Sequence, residues 1–233
     1  MTETGDRFVT RVRWQPAGAR ARVRKEAHGM GGRSMALETD PEVIERLAKE
    51  REDDNWRFRA FLKGLYIDDE VLDALVHELF EEISSHVDCS ACANCCRKVI
   101  PLLEESDVTR LADGLGISEQ ELTERYLAPA EGRGRLTFNQ RPCPLLSGNR
   151  CAVYESRPEG CRSFPHLHKD EFRFRLMGMV WNCEVCPIVY HVYERLKDEL
   201  WHPGAWDGDT GAGEGVPPFD DDETLKRELL IDR

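Results

Sequence analysis

No stretch of the 233 residues approaches the ~20 consecutive apolar positions that a helix needs to cross a bilayer, and the N-terminal residues lack the apolar segment of a secretory signal. Aromatic residues are scarce at 8%, and positive charge is outweighed: 32 Lys and Arg stand against 44 Asp and Glu, for a net charge of −12. A surface of that sign repels nucleic acid and anionic membrane, so neither is expected as a partner. A glycine fingerprint for a dinucleotide or for S-adenosylmethionine is missing too. Gly211-Ala212-Gly213-Glu214-Gly215 follows no strand and precedes no evident helix, and reads as a flexible linker. These absences lead to the expectation of a cytoplasmic protein. In that reducing compartment nine cysteines read as metal ligands or redox groups, and their odd number weighs against a disulfide framework.

The cysteines are what the chain has in excess. Cys89, Cys92, Cys95 and Cys96 fall within eight residues. Cysteines three apart can turn their sulfurs toward one point while intervening amides donate to the thiolates. Adjacent residues point in different directions, so Cys95 and Cys96 are expected to face different sites. Cys143, Cys151, Cys161, Cys183 and Cys186 follow, the last two repeating the C-x-x-C spacing. Together the nine can fill two four-ligand sites with one thiol left over. We expect the sets to interleave. One uses most of the early run, the other uses Cys96 with cysteines of the 143–161 segment, and Cys183 and Cys186 complete them. Zinc wants four tetrahedral ligands, whereas a four-iron cluster accepts a C-x-x-C-x-x-C run with a remote fourth cysteine. The run, the excess of Cys over His and the prolines after Cys143 and Cys186 favour iron–sulfur, with zinc as the alternative.

Residues 1–39 carry eight basic against four acidic side chains, a local charge of +4, and no sustained apolar period. They read as a flexible basic arm of no assigned function, with Met30 and Met35 inside it as alternative starts of translation. At Asp40-Pro41-Glu42 the pattern changes to a helix opening, with a cap, a first-turn proline and an acid at the positive dipole end. Apolar positions then keep helical spacing through to Tyr66. A second helix opens at Asp68, and its Leu72, Val76, Leu79 and Ile83 form a stripe that leads into the cysteine run. His86 lies near Cys89 and is weighed as a ligand against the commoner capping role. Further helices are expected from Glu105 to Gly114 or Gly116, from Ser118 to Leu127, and from the Cys183–Pro187 opening to Leu200. Strands are expected over Arg135–Phe138, over Arg150–Tyr154 after a Ser147-Gly148-Asn149 turn, and half-exposed over Phe172–Leu176. The helix pair around Gly116-Ile117-Ser118 resembles a helix-turn-helix, but Glu119, Glu121 and Glu124 against Arg125 alone argue against DNA reading. Residues 202–233 read as an acidic, mostly flexible tail with a short helix over Glu223–Leu230. The body, residues 40–201, is thus expected to be α+β and mainly α-helical, a small metal-stabilised cysteine-rich domain with a few short strands and irregular loops.

A second signature follows the run. Cys143-Pro144-Leu145-Leu146, then Cys151-Ala152-Val153-Tyr154-Glu155-Ser156-Arg157-Pro158, then Cys161-Arg162-Ser163-Phe164-Pro165 succeed Cys89-x2-Cys92-x2-Cys95-Cys96 in order. With these segments the chain closely resembles, over residues 86–190, the CxxCxxCC cysteine-cluster family, a zinc- or iron-chelating domain that includes flagellin lysine N-methylases. The resemblance implies metal or iron–sulfur binding by Cys89, Cys92, Cys95, Cys96, Cys143, Cys151 and Cys161, with Cys183 and Cys186 as matching late cysteines. The cofactor expected is a 4Fe–4S cluster, two such clusters if the thiols divide evenly, with zinc as the alternative. The family's named enzymes supply a second functional reading, a protein lysine N-methyltransferase that uses S-adenosylmethionine. A protein substrate would then be the partner, where the metal-binding reading expects a redox partner. Arg157 and Arg162 stand beside the cysteines and can neutralise cluster charge or hold the carboxylate of a methionine-derived cofactor, with structural salt bridging as the plain alternative. His166 and His168, two apart on an expected strand, make a poor chelating pair, and Phe164, Phe172, Phe174 and Trp181 are expected to shield the site from water.

Overall fold

In a computed structural model of the chain, residues 10–11, 24–25, 37–130 and 135–201 are described. The rest of the basic arm and the whole 202–233 tail, with its expected helix and glycine linker, lie outside the described residues. Thr10–Arg11 (β1) pairs antiparallel with Arg24–Lys25 (β2). Asp40 caps as its sequence predicts: its carboxylate accepts from the amides of Glu42 at 2.8 Å and Val43 at 3.2 Å, starting α1 (Pro41–Glu50). The helix expected to run on toward Tyr66 breaks at Arg51, with φ −110° and ψ 13°, and restarts as α2 (Glu52–Gly64). Glu52, Asp53 and Asp54 favour a fresh positive helix end at that point. Helix α3 (Asp69–Ser84) buries the predicted stripe of Leu72, Val76, Leu79 and Ile83.

The cysteine run forms two short helical turns, α4 (Cys89–Cys92) and α5 (Asn94–Lys98), and leads into β3 (Leu102–Leu103). Helix α6 (Glu105–Leu115) ends at Gly116, whose φ of 67° lies in the left-handed region that glycine adopts without penalty. Ser118 then caps α7 (Glu119–Tyr126) by accepting from the amide of Glu121 at 3.1 Å. Strands β4 (Leu127–Pro129) and β5 (Leu136–Phe138) join β3 in an antiparallel sheet of order β3-β5-β4, with Leu102 opposite Thr137 and Leu127 opposite Phe138. Leu111, Leu122, Leu127 and Phe138 form a small core between this sheet and the two helices, joined by Leu145 and Val153. The expected strand over Arg150–Tyr154 is shorter: β6 (Leu146–Ser147) pairs with β7 (Arg150–Cys151), and Tyr154–Ser156 is a turn of 3-10 helix. Helix α8 (Glu159–Arg162) carries Cys161.

The alternation over Phe172–Leu176 predicts a strand, yet Phe172–Arg175 is a 3-10 turn that runs directly into α9 (Leu176–Cys183). Tertiary partners override the alternation here. Buried Asp73 on α3 accepts from the amides of Glu171 at 2.7 Å and Phe172 at 2.9 Å, which starts the turn. Arg173 donates to the carbonyls of Leu65 at 3.0 Å and Ile67 at 2.8 Å and pairs with Asp69 at 2.6 Å, so its charge serves tertiary contacts instead of solvent. Phe172 is buried in the main core, while Phe174 is 76% exposed and shields nothing. Helix α10 (Pro187–Leu200) begins with proline in its first turn as predicted. Helices α1, α2, α3, α9 and α10 enclose the main core, in which Tyr193 meets Phe58 edge-on with ring centres 5.1 Å apart. Each fully buried large side chain there, such as Leu62, Leu176 or Leu196, contributes about 1.5–3 kcal/mol. The architecture is the expected one, mainly helical with short antiparallel strands. Among the described residues no helix is long and apolar enough to cross a membrane.

Candidate metal centre

Helices α4 and α5 link the end of α3, in the main core, to β3 of the smaller core, so the cysteine run is fastened from both sides. Asp88 caps α4: its carboxylate accepts from the Ser90 hydroxyl at 2.7 Å and from the amides of Ser90 and Ala91 at 2.9 and 3.3 Å. Those bonds, the hydroxyl's first, hold its carboxyl below the ordinary range. At buried Ala93 the backbone turns left-handed, with φ 49°, so α5 leaves α4 in a new direction.

Toward the main core, buried Asn94 donates from Nδ2 to the carbonyl of Val185 at 2.7 Å, which ties the run to the Cys183–Cys186 turn. Toward the smaller core, the amide of Cys143 donates to the carbonyl of Cys96 at 2.9 Å. Arg97 donates to the carbonyl of Cys92 at 2.9 Å and bonds the Asn149 side chain, while Asn149 donates to the carbonyl of Ala91 at 2.6 Å. The β6–β7 hairpin is thereby stapled to the run. Buried Asp107 accepts from the amide of Glu159 at 2.9 Å and so sets the start of α8 and the place of Cys161.

All nine cysteines are free thiols. Around Cys161 lie Cys96, Cys143 and Cys151, and the last two each face Cys96 as well. Around Cys186 lie Cys89 and Cys92, and Cys95 has both Cys186 and Cys161 near it. Burial pushes Cys143 up to about 11 and Cys161 and Cys186 up to about 12. A hydrogen bond from Cys95, with the charges of Arg157 and Arg97, lowers Cys96 below the ordinary thiol range. The same hydrogen bond, with burial, raises Cys95. Cys183 lies near Cys186. It is 1% exposed in the main core, raised by burial, with Lys197 and Glu194 among its neighbours.

Cys96, Cys143, Cys151 and Cys161 interact with one another, Cys186 with Cys89 and Cys92, and Cys95 with both groups; sulfur donors of this kind are what zinc and iron–sulfur clusters accept. Among the described residues no three Cys, His, Asp or Glu already stand together closely enough to hold a metal ion. Loading would therefore have to draw the thiols inward. The segments that bear them are short turns and loops, and ligation commonly supplies part of the folding energy of such segments. Arg157 lies over the Tyr154 ring, its guanidinium carbon 3.5 Å from the ring centre, and its Nε donates to the Tyr154 carbonyl at 2.8 Å. Its charge favours thiolate at Cys96, Cys151, Cys161 and Cys89. Arg162 instead donates to the carbonyls of Arg157, at 3.2 Å, and Glu155, bracing the same turn.

The histidines lie elsewhere. His86 Nδ1 sits 2.8 Å from the Glu82 carbonyl at the end of α3, the capping role. His166 is in a left-handed turn, φ 64°, where a strand was expected, with its ring near Phe164, and the ring of His168 packs near Phe80. Sequence reasoning missed Asn94, Arg97, Asp107 and Asn149. Only the position of Asn94 and Arg97 within and beside the cysteine run signalled them.

Residues 88–187 match the CxxCxxCC family model, described as "Putative zinc- or iron-chelating domain". This segment is similar to the CxxCxxCC family. No curated protein and no solved structure matches the chain. The matched segment begins at Asp88, the cap of α4, and ends at Pro187, the first residue of α10. It therefore holds all nine cysteines and the smaller core, whereas α1, α2, α3 and nearly all of α10 come from outside it to wall the main core.

Proposed function

We propose that the chain is a metalloprotein with two four-thiolate centres, each holding a 4Fe–4S cluster. Cys89, Cys92, Cys95 and Cys186 would hold the first, and Cys96, Cys143, Cys151 and Cys161 the second. The observation that supports this reading is the set of thiol–thiol interactions: Cys96 with Cys143, Cys151 and Cys161, Cys186 with Cys89 and Cys92, and Cys95 with both groups. The C-x-x-C-x-x-C run, completed by the remote Cys186, supports iron–sulfur over zinc. A bound cluster would supply one-electron chemistry, and a redox protein is the partner class that this implies. Cys183 becomes the thiol left over, serving as a buried apolar residue. Arg157 supplies counter-charge, since no described carboxylate forms an ion pair with it.

The methyltransferase reading would need a cofactor pocket beside a cluster. Two surface cavities, one between α3 and the Asp170–Phe174 turn and one between α6 and α7, are lined by no cysteine and by neither Arg157 nor Arg162. The metal-binding reading is preferred because the matched family model is that of a zinc- or iron-chelating domain. Iron, acid-labile sulfide and zinc per chain in an anaerobic preparation test it. About eight iron and eight sulfide are expected. About two zinc without sulfide would keep the thiol sets and overturn the cluster assignment. Metal for a single site would overturn the two-centre reading.

A further inference from the structure

We propose that Arg150, Arg157 and Arg162 form a docking face, beside the cysteine run, for a carboxylate-rich segment of a partner protein. The inference rests on the reading above for the class of partner, but the face itself is made of arginines and needs no metal. Acidic residues outnumber basic ones in this chain by 44 to 32, and arginines elsewhere find carboxylates: Arg51, Arg125, Arg135, Arg173 and Arg195 each form an ion pair. Among the described residues Arg150, Arg157 and Arg162 form none.

The three are held close to one another. Arg157 covers the Tyr154 ring, and Arg162 Nε donates to the Arg157 carbonyl at 3.2 Å, so both belong to one turn. Arg150 stands in the β6–β7 hairpin, which Asn149 fastens to the carbonyl of Ala91. The charge of Arg150 reaches Asp88 and that of Arg157 reaches Cys89, so the hairpin and the turn flank the start of the cysteine run together. Arg150, Arg162 and Tyr154 are exposed. Asp88 is occupied by its own cap, and exposed Glu155 and Glu159 pair with none of the three. A guanidinium takes a carboxylate in a two-bond fork, so arginines left unpaired in an acid-rich chain have the most to gain from one supplied from outside. Over the rest of the surface a net charge of −12 repels an acidic segment, which confines it to this face. Nucleic acid fits less well, because the same net charge repels a phosphate chain and Arg157 already covers the Tyr154 ring on which a base would stack.

The test titrates the full chain, as purified, into a short fluorescein-labelled peptide rich in Glu and Asp and reads its anisotropy at low and high salt. Binding that high salt abolishes is expected, weakened about tenfold by Arg150→Glu and by Arg162→Glu, and unchanged by Arg125→Glu on α7, which alters net charge equally. No binding at low salt would overturn the inference. So would equal binding by every variant, which would place the peptide on the basic residues 1–39 instead. A single-stranded oligonucleotide that binds as tightly as the peptide and is lost in the same variants would overturn the choice of an acidic protein. Metal content, measured on each preparation, keeps the two readings apart: metal for one site only would overturn the two-centre reading and leave the peptide result standing. Arg162 braces its turn, so Arg150→Glu decides the matter if the Arg162 variant fails to fold; no hydrogen bond or ion pair of the Arg150 side chain is lost with it among the described residues.

Discussion

Asn94 shows how much of the site depends on residues that carry no metal chemistry of their own. Its buried amide joins the cysteine run to the turn bearing Cys186, and replacing it leaves the Val185 carbonyl without its donor. Asn94→Ala should cost about 1–3 kcal/mol of stability and lower metal content at the first set before the second. Thermal unfolding and metal analysis check this, and unchanged values for both would show the bond to be incidental. The cysteines stood out as candidates because chelating spacing is written locally. Asn94, Asp107 and Asn149 did not, because their partners lie 91, 52 and 58 residues away, and only the fold reveals such pairs. Glu45 permits a pH test at the same scale. Hydrogen bonds from Lys49 and then Lys98 lower its carboxyl from the ordinary 4.5 to about 2. A depressed carboxyl contributes its stability above the unfolded value and loses it as pH falls from 4.5 toward 2. Because the Glu45 side chain is 30% exposed and its lysine partners are more exposed still, the contribution should stay below about 1 kcal/mol and shrink with salt. The melting difference between the protein and Glu45→Gln should be present at neutral pH and vanish near pH 2. A difference that persists there would contradict the ion-pair account.

Elements that announce themselves by caps and period were read correctly: the Asp40 opening, the α3 stripe, the Gly116 stop and the proline start of α10 are all local signals. The failures share a cause as well. Alternation at Phe172–Arg175 gave way to Asp73 and the Arg173 contacts, and the long first helix gave way to a break at Arg51. In each case the pattern permitted more than one structure. The packing of α6 on the turn between Cys151 and Cys161 yields a prediction at this scale. A Cβ at Gly114 would stand 2.5 Å from Cβ of Ser156, so Gly114→Ala must push that turn away. We expect a cost of about 1–3 kcal/mol and reduced metal at the second set, although position 114 lies far from every cysteine in sequence. Full metal content with an unchanged melting temperature would show that the turn yields freely.

At the scale of the whole molecule, the two cores are joined through the cysteine run: Asn94 reaches the main core and Cys96 the smaller one. Segments that bear ligands gain folding energy from metal, so two interleaved centres would bind the cores into one cooperative unit. The most direct test of the division is metal content per chain in Cys96→Ser and Cys186→Ser, measured beside the unsubstituted protein. The account predicts that each variant keeps half of the metal and that the double variant keeps none. Full retention in either variant, or complete loss in both single variants, would contradict two independent four-thiolate centres.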